Sequence, residues 1–196
     1  MNSKKTSADT TTDCLRGQLL IAMPGLVGST FANTVVYICE HTDKGAWGLT
    51  VNKQLGAPVS EIFDQFELGY SEYAGARPLL LGGPVHRGQG FVLHRREDDR
   101  EWEATVAVDE QVNLTASRDI IEAIAADQGP SDNLIILGCA GWSAGQLEEE
   151  LLANAWLTVP TDADFLFNAP FDQRVAIAAA RIGVDLSQLS TSAGHA

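Results

Sequence analysis

Short runs of apolar and β-branched residues recur along this chain, with the length and composition that are typical of strands. The first run occupies residues 18–22 and ends where Pro24 and Gly25 interrupt the pattern. Residues 34–40 and 47–52 form two more runs, and the polar turn between them predicts a hairpin. Further runs lie in the middle of the chain, at residues 79–81, 90–95 and 102–108. We interpret these middle strands as a β-meander.

Apolar residues spaced three and four apart predict four helices. They are placed after Pro58, from near Ser117 to the stop at residues 129–130, over residues 145–155 and over residues 172–182. Residues 134–138 are a short, wholly apolar run of the kind that is buried on both faces, so they predict a central strand that leads into the third helix. A strand-rich middle followed by late helices is typical of an α+β fold.

The length of 196 residues favours one domain, because it is long for one average unit and short for two. Residues 1–13 are polar, small and aperiodic, so we predict a flexible N-terminal tail followed by a single domain over residues 14–196. No apolar run approaches the ~20 residues that a membrane-spanning helix needs. Cys14, Cys39 and Cys139 are too few and too scattered for a disulfide framework. We therefore expect a cytoplasmic protein with no membrane association.

The charge balance argues against direct DNA binding. Acidic residues outnumber basic ones by 26 to 13, and the formal net charge is −13. Such a field repels phosphate backbones, which nucleic-acid-binding proteins usually neutralise with a basic patch. Four arginines lie close together in sequence, at Arg87, Arg95, Arg96 and Arg100, but acidic residues at 97–101 interleave with them. We interpret this segment as a solvated hairpin tip.

One pattern points to acyl hydrolysis. Residues 141–145 match the G-x-S-x-G nucleophile elbow between a strand and a helix, with Ser143 as the nucleophile. A hydrolase of this kind needs its histidine after the serine, and the only later histidine is His195, in a Gly/Ser-rich tail. Ser143 followed by Gln146 also matches a capping box, in which the serine caps the next helix. The capping interpretation is favoured.

A second pattern points to a metal or thiol site. Cys39 and His41 are two residues apart, so a regular strand would place both side chains on one face, where Cys139 and His94 could join them. No second pair with metal-ligand spacing accompanies them. Buried cysteine is common as a small apolar residue, so core packing is favoured for Cys39 and Cys139.

Several segments, taken in order, resemble the AlgH/YqgE-like family of bacterial proteins. The matching segments are residues 17–24, 35–41, 45–49 with Asn52, 82–85, 90–94, 138–150, 154–157 and 194–196. The resemblance covers the chain from about Gly17 to its end. It implies a compact α+β fold in which a bifurcated, mostly antiparallel sheet closes into a pseudo-barrel with flanking helices.

The resemblance implies no enzyme activity. The family's functional label, regulation of alginate-type exopolysaccharide gene expression, implies a role in transcriptional control but supplies no DNA-binding motif. Asn52, His94 and Gln146 are the positions most similar to family signature residues with side-chain chemistry. The position of Ser143 is not a fixed serine in the family motif, which weakens the hydrolase interpretation.

We therefore predict a non-enzymatic binding or regulatory module that acts through a protein partner or a small ligand. The predicted binding residues are Asn52, Gly83, His94, Trp142 and Gln146, at strand ends and turns. No catalytic residue, metal ligand or cofactor is predicted. Two alternatives stay open: a hydrolase or thiol-dependent enzyme that uses Ser143 or Cys39, and a regulator that binds nucleic acid directly.

Overall fold

The computed structural model describes residues 14–26, 29–97 and 100–185. The predicted N-terminal tail, two residues of the charged tip and His195 lie outside these ranges. The strands are β1 (Gln18–Ala22), β2 (Val35–Thr42), β3 (Gly45–Thr50), β4 (Gln54–Pro58), β5 (Pro78–Leu81), β6 (Val85–Arg95), β7 (Thr105–Ala107), β8 (Val112–Thr115), β9 (Asn133–Ser143) and β10 (Trp156–Pro160). The helices are α1 (Ser60–Gln65), α2 (Glu72–Gly75), α3 (Arg118–Ala125), α4 (Gln146–Leu152), α5 (Ala163–Asn168) and α6 (Arg174–Arg181).

The ten strands form one curled, mostly antiparallel sheet, a half-barrel with helices around it, and the predicted α+β class is confirmed. The main strand order is β10-β1-β2-β3-β9-β6-β8-β7. β5 leaves this path, because it pairs in parallel with β9 and antiparallel with β4. None of the helices in the described part of the chain is long and apolar enough to cross a membrane.

β9 is the central strand, as its wholly apolar run predicts. It pairs with β3, β5 and β6. Its alternate residues enter two different cores: Ile136 packs inside the curl with Tyr37 and Leu93, whereas Ile135 packs beneath α1 and α3 with Phe63 and other apolar residues. Burial on both faces explains why this segment has no polar alternation.

Side chains of β2 and of the segment before β1 contact the β7–β8 turn. The Tyr37 hydroxyl donates a hydrogen bond to Asp109 Oδ2 at 2.6 Å. Arg16 Nε donates to the Val108 carbonyl at 2.9 Å, and its Nη2 donates to the Ala107 carbonyl. Burial, together with the hydrogen bond to the Asp109 carboxylate, raises the pKa of the Tyr37 hydroxyl, so that it stays a protonated donor. These contacts fasten both β2 and the segment before β1 to the end of β7 and the β7–β8 turn.

Arg174 of α6 is the largest fully buried side chain. Its guanidinium lies 4.3 Å from the centre of the Phe171 ring and donates to three backbone carbonyls: Nε to Ala169 at 3.0 Å, Nη2 to Leu166 at 2.7 Å and Nη1 to Val51. No carboxylate within the described ranges lies at ion-pair distance from it. Burial therefore lowers the pKa of Arg174 to about 10. This side chain joins α5 and α6 to the end of β3.

The structure corrects several sequence predictions. The β-meander is wrong, because β9 enters the sheet beside β6 and β8 separates β6 from β7. The helix predicted to reach residues 129–130 ends at Ala125, and Asp127 follows with a left-handed φ of 57°. The predicted hairpin of β2 and β3 is confirmed. The sequence pattern missed several short elements of four to six residues, namely β4, β8, β10, α2 and α5.

Candidate functional site

Asn52 and Gly83, two of the predicted binding residues, hold the backbone in place. Asn52 Oδ1 accepts the Val35 N–H at 2.8 Å, and Asn52 Nδ2 donates to the Asn33 carbonyl at 2.9 Å, so the amide fastens the start of β2. Gly83 crosses β9 at close range: a Cβ on Gly83 would lie 2.3 Å from the Cys139 carbonyl group. With a φ of +155°, this position also disfavours other residues.

His94 is buried and belongs to a short chain of hydrogen bonds. Its Nδ1 lies 3.1 Å from the Arg95 carbonyl and its Nε2 lies 2.9 Å from Thr115 Oγ1, which is 2.6 Å from Thr105 Oγ1. Because a carbonyl only accepts, Nδ1 carries the proton and Nε2 accepts from the Thr115 hydroxyl. Burial lowers the pKa of His94, so the ring is neutral.

Trp142 and Gln146 meet at the carboxylate of Glu150. Glu150 Oε2 accepts the indole N–H of Trp142 at 2.8 Å and that of Trp156 at 2.7 Å, and Oε1 accepts from Gln146 Nε2 at 2.9 Å. Phe31 packs against both indoles. We call these five residues the Trp–Glu cluster. It fixes α4 to the end of β9 and to the start of β10.

Acid is expected to destabilise the protein through Glu150. Partial burial raises the pKa of its carboxyl, but the hydrogen bonds from Trp156, Gln146 and Trp142 outweigh this and hold the pKa below its usual value. A lowered folded-state pKa contributes stability that is complete above about pH 5 and is lost as pH falls through the folded pKa. Glu150→Gln should therefore be less stable at neutral pH and should flatten the acid decline. Urea denaturation of both proteins from neutral pH to below about pH 5 measures how the free energy of unfolding depends on pH. If that free energy falls equally with pH in both proteins, Glu150 is not a source of the acid sensitivity.

Ser143 is the last residue of β9, opposite Gly45, and α4 begins three residues later at Gln146, so Ser143 lies at the predicted strand-to-helix turn. Its N–H and its hydroxyl both donate to Gln146 Oε1, at 3.0 and 3.1 Å. The N-cap of α4 is Gly145, without a side-chain cap, so the prediction that Ser143 caps the helix is wrong. The Gln146 half of the capping box is present because the turn brings its amide back to the strand. The Ser143 hydroxyl therefore contacts an amide, whereas His41 and His94 bond elsewhere.

Cys39 and His41 line the same small cavity, but their side chains have different partners. A β-bulge between Ile38 and Glu40 breaks the alternation, so Cys39 packs in the core inside the curl while His41 Nε2 donates to Glu148 of α4 at 2.8 Å. Burial raises the pKa of the Cys39 thiol, which favours an unreactive, protonated form. No cluster of three or more His, Cys, Asp or Glu residues in the described ranges is arranged to hold a metal ion.

A cavity of about 350 Å³ lies between α1, α3 and strands β6, β8 and β9. We call it the α1–α3 cavity. Its apolar walls are Ile62, Phe66, Val92, Ile121, Ile135 and Leu137. The polar residues that line it are Gln65, Thr115, Ser117 and Arg118. Cavities of ~300–1,000 Å³ with apolar walls and few polar groups are the usual form of small-molecule sites.

The cavity exists because strand β6 carries glycine where it faces α1 and α3. Gly88 and Gly90 line the space, and a Cβ on Gly90 would meet only Leu137 Cδ2, at an ordinary 3.8 Å. Between Val85 and Gly90 the strand also bulges away from β9. None of the five binding residues predicted from sequence lines the cavity. His94 is connected to it, since Thr115 both lines the cavity and hydrogen-bonds to the imidazole.

Comparison with known proteins gives consistent results. A family model described as AlgH-like matches residues 19–187. A UPF0301 protein of Saccharophagus degradans is 49% identical over 182 residues, which is 93% of this chain and 89% of its own. A UPF0301 protein of Thioalkalivibrio sulfidiphilus is 48% identical and covers 91% and 95% of the two chains.

Solved structures show the same architecture. The solution structure of the AlgH protein from Pseudomonas aeruginosa has 40% sequence identity and a TM-score of 0.76, over the whole of both chains. A crystal structure of a Corynebacterium diphtheriae protein shares the fold at 18% identity, with a TM-score of 0.68 over 89% of this chain and 91% of that one.

Proposed function

This chain belongs to the AlgH-like family, and we propose that it is a non-enzymatic binding module whose ligand site is the α1–α3 cavity. The observation that carries this proposal is the cavity itself: a mostly apolar space of about 350 Å³ with a few polar residues in its lining. A ligand that enters it would contact both the helical layer and β6. The role in transcriptional control implied by the family resemblance is then indirect, through a ligand-dependent surface.

The hydrogen-bond partners and the burial of Ser143, Cys39 and His94 support a binding function over a catalytic one. A nucleophilic serine needs a histidine as base, but the Ser143 hydroxyl donates to Gln146. The Cys39 thiol is buried, and its pKa is raised. The His94 imidazole accepts from a threonine that is itself fully buried. These groups stabilise the fold, and we propose the same structural role for Asn52, Gly83, Trp142 and Gln146.

Filling the cavity is expected to abolish binding without unfolding the protein. Gly90→Val places two methyl groups into the cavity, at a position where a Cβ makes an ordinary contact and φ is not positive. A small-fragment library is screened by ¹H–¹⁵N NMR on the full chain. Fragments should shift the amides of Val92, Ala116 and Ile121 in the wild type, and these shifts should disappear in Gly90→Val.

The matched control is Gly141→Val. Gly141 is also an exposed strand glycine, it has nothing within 4 Å of its Cβ position, and it does not line the cavity. This variant should bind fragments as the wild type does. Fragments that bind Gly90→Val with unchanged affinity, or that shift amides only outside the cavity, would refute the proposed site.

A further inference from the structure

We infer that the α1–α3 cavity takes a small amphipathic carboxylate, whose apolar tail enters the cavity and whose carboxylate faces Arg118. This inference rests on the proposed function and names the ligand class of that site. Six apolar residues line the cavity, so the part of the ligand that enters it should be apolar. The volume of about 350 Å³ restricts the site to small ligands.

The charge of the lining points to an anion. Arg118 is the one charged side chain among the residues described as lining the cavity, and no Asp or Glu is among them. This composition contrasts with a chain in which acidic residues outnumber basic ones two to one. A positively charged ligand would meet the Arg118 guanidinium and no carboxylate among the lining residues, whereas an anion would be attracted to the guanidinium.

Arg118 is held in position with donors to spare. Its guanidinium lies 5.1 Å from the centre of the Phe66 ring, and its Nη2 is 3.4 Å from the Phe66 carbonyl. Its Nε donates to Glu122 Oε1 at 2.6 Å. A guanidinium carries five N–H donors, so these contacts leave N–H groups that can bind a carboxylate. The Phe66 contacts hold Arg118 between α1 and α3, where it borders the cavity.

Of the two carboxylates close to Arg118, Asp119 is engaged with other groups and Glu122 is paired with Arg118 itself. Asp119 accepts from the Ser117 hydroxyl and from the N–H groups of Glu103 and Ile120. Glu122 accepts from Arg118 on the exposed side of the helix, where water weakens the pair. Neither residue lines the cavity. Arg118 is therefore the one ionised side chain that borders the cavity among the described residues.

A titration with matched probes tests this inference. Octanoate, octan-1-ol and octylammonium are added to the full chain near pH 7.5, and the amides of the cavity are followed by NMR. Octanoate should bind about tenfold more tightly than octan-1-ol, a ratio that corresponds to ~1.4 kcal/mol. Octylammonium should bind most weakly. Arg118→Gln should reduce the affinity for octanoate about tenfold and leave that for octan-1-ol unchanged.

Glu122→Gln is the control for loss of the Arg118–Glu122 ion pair. It removes the carboxylate and keeps the guanidinium, so octanoate should bind this variant at least as tightly as the wild type. Octan-1-ol binding as tightly as octanoate, or an Arg118→Gln variant with unchanged octanoate affinity, would overturn the carboxylate inference and leave the cavity as the binding site. Both proposals are wrong if neither octanoate nor octan-1-ol shifts the cavity amides and no fragment shifts them in the wild type in a way that Gly90→Val abolishes.

Discussion

Replacing Arg174 with alanine is expected to lower the free energy of unfolding by ~3–5 kcal/mol, a large share of the stability of a domain. The substitution leaves three carbonyl groups without their donor: those of Val51 and Leu166, which are buried, and that of Ala169, which is partly buried. It also leaves a space that a fully buried arginine had filled, next to the Phe171 ring. Urea denaturation followed by circular dichroism, fitted for both midpoint and slope, measures the loss.

Two variants separate the causes. Arg181→Ala removes an arginine from the same helix, but that side chain is partly exposed and pairs with Asp162, so the cost should be about 1 kcal/mol or less. Arg174→Met keeps most of the volume and removes the donors, so its stability should fall between those of the wild type and Arg174→Ala. An Arg174→Ala protein with the wild-type midpoint would show that the three carbonyl contacts contribute nothing.

Trp142→Ala is expected to be similarly destabilising, by ~3–5 kcal/mol, because the indole is 6% exposed in a packed cluster. Its ring centre lies 5.7 Å from that of Trp156 and 6.4 Å from that of Phe31. Its N–H is one of the donors that stabilise the ionised Glu150 carboxylate. The same denaturation experiment measures this effect, and low solubility of the variant would agree with it.

Trp142→Phe is the matched control. It keeps an aromatic ring in the cluster and removes the N–H, so it should cost about 1–2 kcal/mol, since Glu150 Oε2 retains the Trp156 donor. A Trp142→Ala protein that keeps its denaturation midpoint but loses ligand binding would contradict the structural role. It would move the binding site from the α1–α3 cavity to this end of β9.

The sequence predicts the parts of the fold that depend on local pattern. The β2–β3 hairpin follows from two apolar runs around a polar turn, and β9 follows from an apolar run with no polar face. The last helix ends where Gly183 supplies a positive φ of 69°. Local sequence patterns do not predict the order of strands in the sheet, because the periodicity of one segment does not say which other strand it pairs with. The β5–β9 parallel pair and the insertion of β9 beside β6 join distant segments.

The site is harder to predict for the same reason. Arg174 occurs in an amphipathic helix, where arginine usually faces solvent, and its burial depends on a carbonyl at Val51 that only the folded chain brings to it. The cavity is a space left between elements. Its one signal in the sequence is glycine at positions 88 and 90 within a strand pattern, which is typical of a bulge or of a position that lacks a packing side chain. The spacing of Cys39 and His41 predicted that both side chains lie on one face of a regular strand. The β-bulge between Ile38 and Glu40, which breaks this alternation, has no signal in the sequence pattern.

The pairing of β1 with β10 affects how the protein is made. Gln18 lies opposite Pro160, so β1 cannot complete its pairing until β10, more than 130 residues later in the chain, has been synthesised. Pairing over such a sequence separation raises the contact order and slows folding. Until β10 leaves the ribosome, the apolar β1 has an unpaired edge that other nascent chains can join. We therefore expect the demand for chaperones to be greatest during translation, and truncations before Trp156 to aggregate.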